Sequence, residues 1–166
     1  MPAVGKSTVG VLLAKRMGFG FVDTDIIIQT GEGESLSTLI HRLGAEGFCD
    51  LEADYIERLE LSSHVIATGG SVIYRSRAMR HLEQSGRIVH LDIDLQSLTR
   101  RLNDLGGRGV VMAPGQTIEG LFAERTPLYE RWAHLSVNCS TLPPDQTVAC
   151  VISAMAAGTI RTNRPD

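Results

Sequence analysis

The chain has 166 residues, with Lys+Arg 16 against Asp+Glu 19; that is enough for one core without staples, and the balanced charge excludes a general attraction to nucleic acid or anionic membranes. Aromatic residues make up only 5%, which removes the stacking platforms of single-strand binders. Cys49, Cys139 and Cys150 are far apart with no C-x-x-C pair, so neither a disulfide framework nor a zinc site is indicated, and a reducing cytoplasm is the expected setting.

In chain order, the first feature is Gly5-Lys6-Ser7-Thr8, the second half of a G-x-x-x-x-G-K-[ST] phosphate loop. In that motif backbone amides cradle phosphates, the Lys reaches their outer oxygens and the hydroxyl ligates Mg²⁺. The first Gly would fall one position before Met1. A helical stretch, Ser7–Met17, follows and adds the positive end of its dipole. Val4, Gly5, Lys6, Ser7 and Thr8 are therefore the candidate nucleotide site.

Phe19–Val22 is a short β-rich run ending at Asp23-Thr24-Asp25. If the strand continues, both carboxylates project to one side. One could then hold Mg²⁺ while the other accepts a hydrogen bond from a substrate hydroxyl. The plain alternative is a helix cap ahead of Ile26. Helical patterns cover Leu36–Leu43 and Leu51–Leu61. The run His64–Thr68 then leads into Gly69-Gly70-Ser71, where paired glycines let a backbone approach a ligand closely.

Ser76–Gln84 is helical, Arg87–Leu91 is a strand leading into Asp92, and Leu95–Leu105 is helical behind the cap residue Asp94. Arg108 lies in Leu105-Gly106-Gly107-Arg108-Gly109, a glycine-rich segment suited to a lid whose Arg closes over phosphates. The helix Thr117–Trp132 carries Arg125, a natural bidentate partner for a carboxylate. His134–Val137 is the last strand, and Asp145–Ala157 the last helix.

Residues 1–157 are expected to form one domain, with 158–166 a polar, disordered tail. Alternating strands and helices predict a doubly wound α/β fold with a parallel sheet. No strand precedes Pro2, although a phosphate loop joins a strand to a helix. The expectation is a chain clipped by roughly ten residues, about a strand and its lead-in; the alternative is a gap filled by another segment.

Together these features resemble the shikimate kinase family of small phosphate-loop kinases. The resemblance runs from Ala3 to about Cys139. It rests on Gly5-Lys6-Ser7-Thr8, Phe21-Val22-Asp23-Thr24-Asp25, Ala67-Thr68-Gly69-Gly70, Arg108 and Arg125-Thr126-Pro127-Leu128-Tyr129, in that order. It implies a three-layer α/β/α P-loop NTPase fold with sheet order 2-3-1-4-5, the first strand missing here. It also implies transfer of the ATP γ-phosphoryl group to a substrate hydroxyl, with shikimate the leading acceptor in aromatic amino-acid biosynthesis.

Carried over by position, Lys6 would neutralise the transferring phosphoryl group, Ser7 would ligate Mg²⁺ and Asp23 would support the metal. Asp25 would hold and deprotonate the acceptor hydroxyl. Gly69 and Gly70 would meet the substrate through backbone, Arg108 would close on the nucleotide, and Arg125 would pair with the acceptor carboxylate. Partners reduce to a small hydroxy acid, with no nucleic acid and no membrane, and a monomer is expected.

The chain departs from the family pattern at Phe48-Cys49-Asp50-Leu51-Glu52. There Cys49 stands where a carboxylate-clamping Arg is usual, and Asp50 adds an anion beside it. Losing a charged hydrogen bond costs about 1.5–3 kcal/mol. Ser71 replaces the third Gly of a triple-glycine turn. Two other readings follow: a kinase for a different hydroxyl acceptor, and a catalytically weak nucleotide-binding homologue. No G-x-S-x-G elbow, zinc spacing or G-x-G-x-x-G turn is present, and the scattered histidines, His41, His64, His81, His90 and His134, read as structural or surface residues.

Overall fold

Alternation of short strands with longer helices produces the layered arrangement in a computed structural model, which describes residues 1–104, 111–112 and 115–157. The helices are α1 (Lys6–Met17), α2 (Thr24–Glu32), α3 (Leu36–Glu57), α4 (Ser76–Ser85), α5 (Leu95–Asp104), α6 (Ile118–Trp132) and α7 (Pro144–Ala156). The strands are β1 (Gly20–Asp23), β2 (His64–Ala67), β3 (Val89–Asp92) and β4 (Leu135–Asn138), and a 3-10 turn covers Val72–Tyr74.

Local chemistry sets the helix ends. Asp94 Oδ1 accepts from the Ser97 amide at 2.7 Å ahead of α5, and Thr117 Oγ1 accepts from the Gly120 amide at 3.1 Å ahead of α6. Each side chain satisfies an amide that the first helical turn leaves without a partner. The two helices expected over Leu36–Leu43 and Leu51–Leu61 are found, meeting at Gly44 rather than after a longer gap, and together they make up α3. The chain stays helical on both sides of Gly44, whose φ of 71° marks a kink; glycine reaches that conformation without a Cβ clash.

β1 pairs parallel with β2, Val22 opposite Ile66, and β3 pairs parallel with β4, Leu91 opposite Val137. The two pairs form separate sheets. Among the described residues no strand lies between β2 and β3. A largely apolar cavity of about 450 Å³ sits beside their facing edges, lined by Val65, Ala67, Val89 and Leu91 together with Val9 and Leu13 of α1. The expected order 2-3-1-4-5 has its central position at this gap.

Helices cover both faces. Val9 and Leu13 of α1 join Leu98 of α5, Val148 and Val151 of α7 and Leu91 and Val137 of the strands in one core cluster. On the other face Ala53, Ile56, Ala78 and Met79 of α3 and α4 pack with Leu128 and Trp132 of α6. A third cluster, Ile28, Leu39, Phe48, Cys49 and Val111, ties α2 to α3. Among the described residues no helix is long and apolar enough to cross a membrane. The tail 158–166 lies outside the described residues.

Candidate active site

The C-terminal ends of β1 and β2 and the N-terminus of α1 meet at one place. α1 begins at Gly5, whose φ of 100° is in the left-handed region and which offers no side chain to cap the helix. Its first-turn amides are left for an external acceptor, at the positive end of the dipole. The Val4 side chain is buried and its carbonyl accepts from Arg101 Nη1 at 3.1 Å, so Val4 shapes the loop from inside. Thr8, with Gly5, Arg100, Pro143 and Thr147, lines a cavity of about 510 Å³ alongside the loop. Nothing in the sequence spacing singled out Arg100.

Lys6 Nζ donates to the Met1 carbonyl at 2.8 Å. Burial pushes its ammonium below the usual lysine range, while Asp25 and Glu52 pull the other way. Ser7 Oγ donates to Asp23 Oδ2 at 2.5 Å. The hydroxyl and carboxylate assigned to the metal are thus adjacent, and hard oxygen donors of this kind suit Mg²⁺.

The strand does not continue through Asp25 as the one-sided arrangement of the two carboxylates would need, because β1 stops at Asp23 and α2 begins at Thr24. Asp23 Oδ1 caps the helix by accepting from the Asp25 amide at 3.0 Å. The capping and metal-holding readings are therefore compatible, one oxygen for each. Burial, then the neighbouring Asp23 charge, raises the Asp25 carboxyl above its ordinary range, opposed by Lys6.

A Cβ at 69 would collide with Glu52 Oε1 and lie 3.0 Å from Asp25 Oδ1, so a side chain there would displace the two carboxyl groups. The Gly69 amide donates to Thr24 Oγ1 at 3.2 Å. Gly69 therefore leaves room for two carboxyl groups, and its own amide is taken by Thr24. At Gly70 a Cβ would stand 3.2 Å from Arg125 Nη1 and 3.3 Å from Tyr129 Oη. The Gly70 carbonyl accepts from Tyr129 Oη at 2.7 Å.

Arg125 is 1% exposed. Its Nη2 donates to the Val111 carbonyl at 2.6 Å and its Nε to Tyr74 Oη at 3.0 Å. Lys6, Asp25, Gly69, Gly70 and Arg125 therefore surround one region, with Ser7 and Asp23 at its phosphate-loop side. Arg108 lies outside the described residues.

Cys49 is buried with Phe48 in the α2–α3 cluster, and burial pushes its thiol up to about 11. It supplies packing and no charge. Asp50 faces outward and accepts from Arg75 Nε at 2.5 Å, while Arg75 also reaches Glu46 at 2.8 Å. The anion beside Cys49 is thus balanced outside the site.

Glu52, in sequence only the end of the Phe48–Glu52 segment, is a buried carboxyl that the fold brings beside these residues. It is fully buried, its Oε2 accepts from Ser71 Oγ at 2.7 Å, and its Oε1 has no partner among the described residues. Burial, reinforced by Asp25, pushes its carboxyl up to about 7, against the hydrogen bond from Ser71 and the charges of Lys6 and Arg125. A carboxyl raised on folding binds more protons in the native than in the unfolded chain between its two pKa values. Its contribution to stability therefore falls as pH rises from about 4.5 to about 7. The shift is worth roughly 3 kcal/mol. Glu52→Gln is expected to melt at a higher temperature than the parent at pH 8 and close to it at pH 4.5. A parent-like melting point at both pH values would show that burial of this carboxyl costs nothing.

A family profile described as shikimate kinase matches residues 2–156. Curated relatives include the shikimate kinase of Gloeobacter violaceus, 34% identical over 94% of this chain and 91% of that protein. The shikimate kinase of Thermodesulfovibrio yellowstonii is 32% identical over 89% of this chain and 87% of its own. Among solved structures, the shikimate kinase from Acinetobacter baumannii in complex with shikimate superposes with a TM-score of 0.85 at 24% identity, covering 97% of this chain and 90% of that one. The shikimate kinase from Aquifex aeolicus gives 0.80 at 28% identity, over 95% and 94%.

Proposed function

This chain belongs to the shikimate kinase family, and from that premise we propose that it moves the γ-phosphoryl group of ATP to a hydroxyl of shikimate using Lys6, Asp25 and Arg125. The observation that carries this reading is the convergence of those three side chains around Gly69 and Gly70. ATP is the donor. The α1 amides and Lys6 hold its phosphates, and the cavity beside Thr8 and Arg100 receives the rest of the nucleotide. Ser7, with Asp23 in support, would hold Mg²⁺, which would supply neutralisation of the phosphate oxygens.

Asp25 accepts the acceptor's hydroxyl proton as that oxygen bonds to the γ-phosphorus and the bond to ADP breaks. Its raised affinity for protons suits a group that must take one near neutrality. Lys6 offsets the charge on the phosphoryl oxygens, and Arg108 closes on the nucleotide. Arg125 holds the acceptor carboxylate. Glycine at 69 and 70 leaves the space in which the ring lies.

Cys49 favours a weaker grip on that carboxylate, with one arginine in place of two. Cys49→Arg would place a second cation one turn from Glu52 on the same face of α3. Its expected effect is a tenfold to hundredfold lower KM for shikimate; an unchanged KM in a folded variant would count against Cys49 as the cause of the weaker grip. The whole reading is tested by ADP release with Mg-ATP, with and without shikimate. Release that rises with shikimate is expected, and release independent of it would overturn the assignment.

A further inference from the structure

Arg125 is a buried guanidinium that no carboxylate pairs among the described residues. Among the described residues its hydrogen-bond acceptors are neutral: the Val111 carbonyl and the Tyr74 phenol, with the Tyr129 phenol also beside it. Burying a cation without a counter-charge is costly, so something must hold this one in place while leaving its charge uncompensated. Tyr74 has the required geometry. Its oxygen accepts from Arg125 Nε at 3.0 Å, and the guanidinium carbon stands 5.1 Å from its ring centroid. Ring and oxygen together fix both the tilt and the rotation of the planar group.

Glu124 provides the contrast. It lies one residue from Arg125 and could neutralise it, yet its Oε1 is occupied by the Tyr74 hydroxyl, which donates at 2.6 Å. Gln116 Nε2 donates to the other oxygen at 2.6 Å. The phenol therefore stands between carboxylate and guanidinium: the acid fixes the phenol and the phenol fixes the arginine. Nη1 is left beside the space above Gly70, 3.2 Å from where a Cβ would be.

We propose that Tyr74 is a positioning residue that holds Arg125 oriented and un-neutralised for the carboxylate of the acceptor. This rests on the reading of Arg125 as the carboxylate holder. A guanidinium ordered before binding loses less side-chain freedom when the ligand arrives. The benefit falls on acceptor affinity and hardly on the chemical step. With Cys49 offering no second cation, that single orientation carries the whole carboxylate contact.

The test is Tyr74→Phe, which keeps the ring and removes the oxygen. KM for shikimate is expected to rise about tenfold, the scale of one hydrogen bond to a charged group, with kcat within threefold and KM for ATP unchanged. Tyr74→Leu, lacking ring and oxygen, should raise the acceptor KM further. A second readout needs no substrate: the Arg125 Nε–H resonance, assigned by its loss in Arg125→Lys, should be sharp and slowly exchanging in the parent and broadened in Tyr74→Phe. An unchanged acceptor KM with an unchanged resonance would overturn the proposal. So would equal losses in KM for both substrates and in melting temperature, which mark a purely structural role. If the parent does not turn over shikimate, the acceptor assignment fails, and the resonance still decides whether Tyr74 orders Arg125.

Discussion

Lys6→Met is expected to lower kcat by about 10²–10³-fold, the cost of removing one preorganised donor from a developing anion. Lys6 sits in the first turn of α1, where its Nζ bonds the loop's own Met1 carbonyl. That bond holds the ammonium near the helix terminus at which phosphate oxygens would gather. Burial works against its charge while Asp25 and Glu52 sustain it, so the ammonium is kept in a setting where its field is weakly screened. Methionine fills the same volume without the charge. The check is the initial rate at saturating ATP and shikimate, with thermal melting alongside. A fall of less than fivefold in a variant that melts like the parent would remove Lys6 from the transfer step.

Asp25→Asn is expected to lower kcat by about 10²–10⁴-fold, the usual worth of a positioned general base. Asparagine keeps the size, and the α2 cap belongs to Asp23, so folding should survive. The acid limb of the pH–rate profile provides a second signature. Activity requires Asp25 ionised, and burial raises its affinity for the proton. Activity should therefore be lost as pH falls through a value above the ordinary aspartate range, and that limb should disappear in Asp25→Asn. Retained turnover in the variant, or an unaltered acid limb in its residual activity, would assign the proton to another group. Glu52 is the nearest candidate.

How much of this was legible before the structure depended on whether a residue acts through its neighbours in sequence or across the fold. Gly5-Lys6-Ser7-Thr8 is local chemistry, a loop followed by the helix it caps, and it reads directly. Asp23-Thr24-Asp25 reads as important but ambiguous. Cap and metal support use different oxygens of one carboxylate, which spacing cannot reveal. The two helices of α3 read from the pattern, but the sharp turn that joins them at Gly44 does not, because one glycine in the left-handed region leaves no periodic trace.

The roles of Glu52 and Tyr74 were invisible for a different reason. Glu52 matters because Ser71, 19 residues away, takes one oxygen while the backbone of Gly69 crowds the other. Tyr74 matters because Arg125 arrives from a helix 51 residues later. Neither relation leaves a periodic trace. Cys49 was legible as a departure from the family pattern, but its physical meaning was not. Only packing against Phe48, Ile28, Leu39 and Val111 identifies it as a core residue.

The central claim is that this chain transfers phosphate to shikimate and does not merely hydrolyse ATP. Phosphorus NMR of a reaction holding Mg-ATP and shikimate follows both fates at once. The γ-phosphate signal is predicted to reappear as a phosphate monoester of shikimate, growing in step with ADP. A γ-phosphate signal that reappears as inorganic phosphate alone, or that does not decay with shikimate present, would contradict the account.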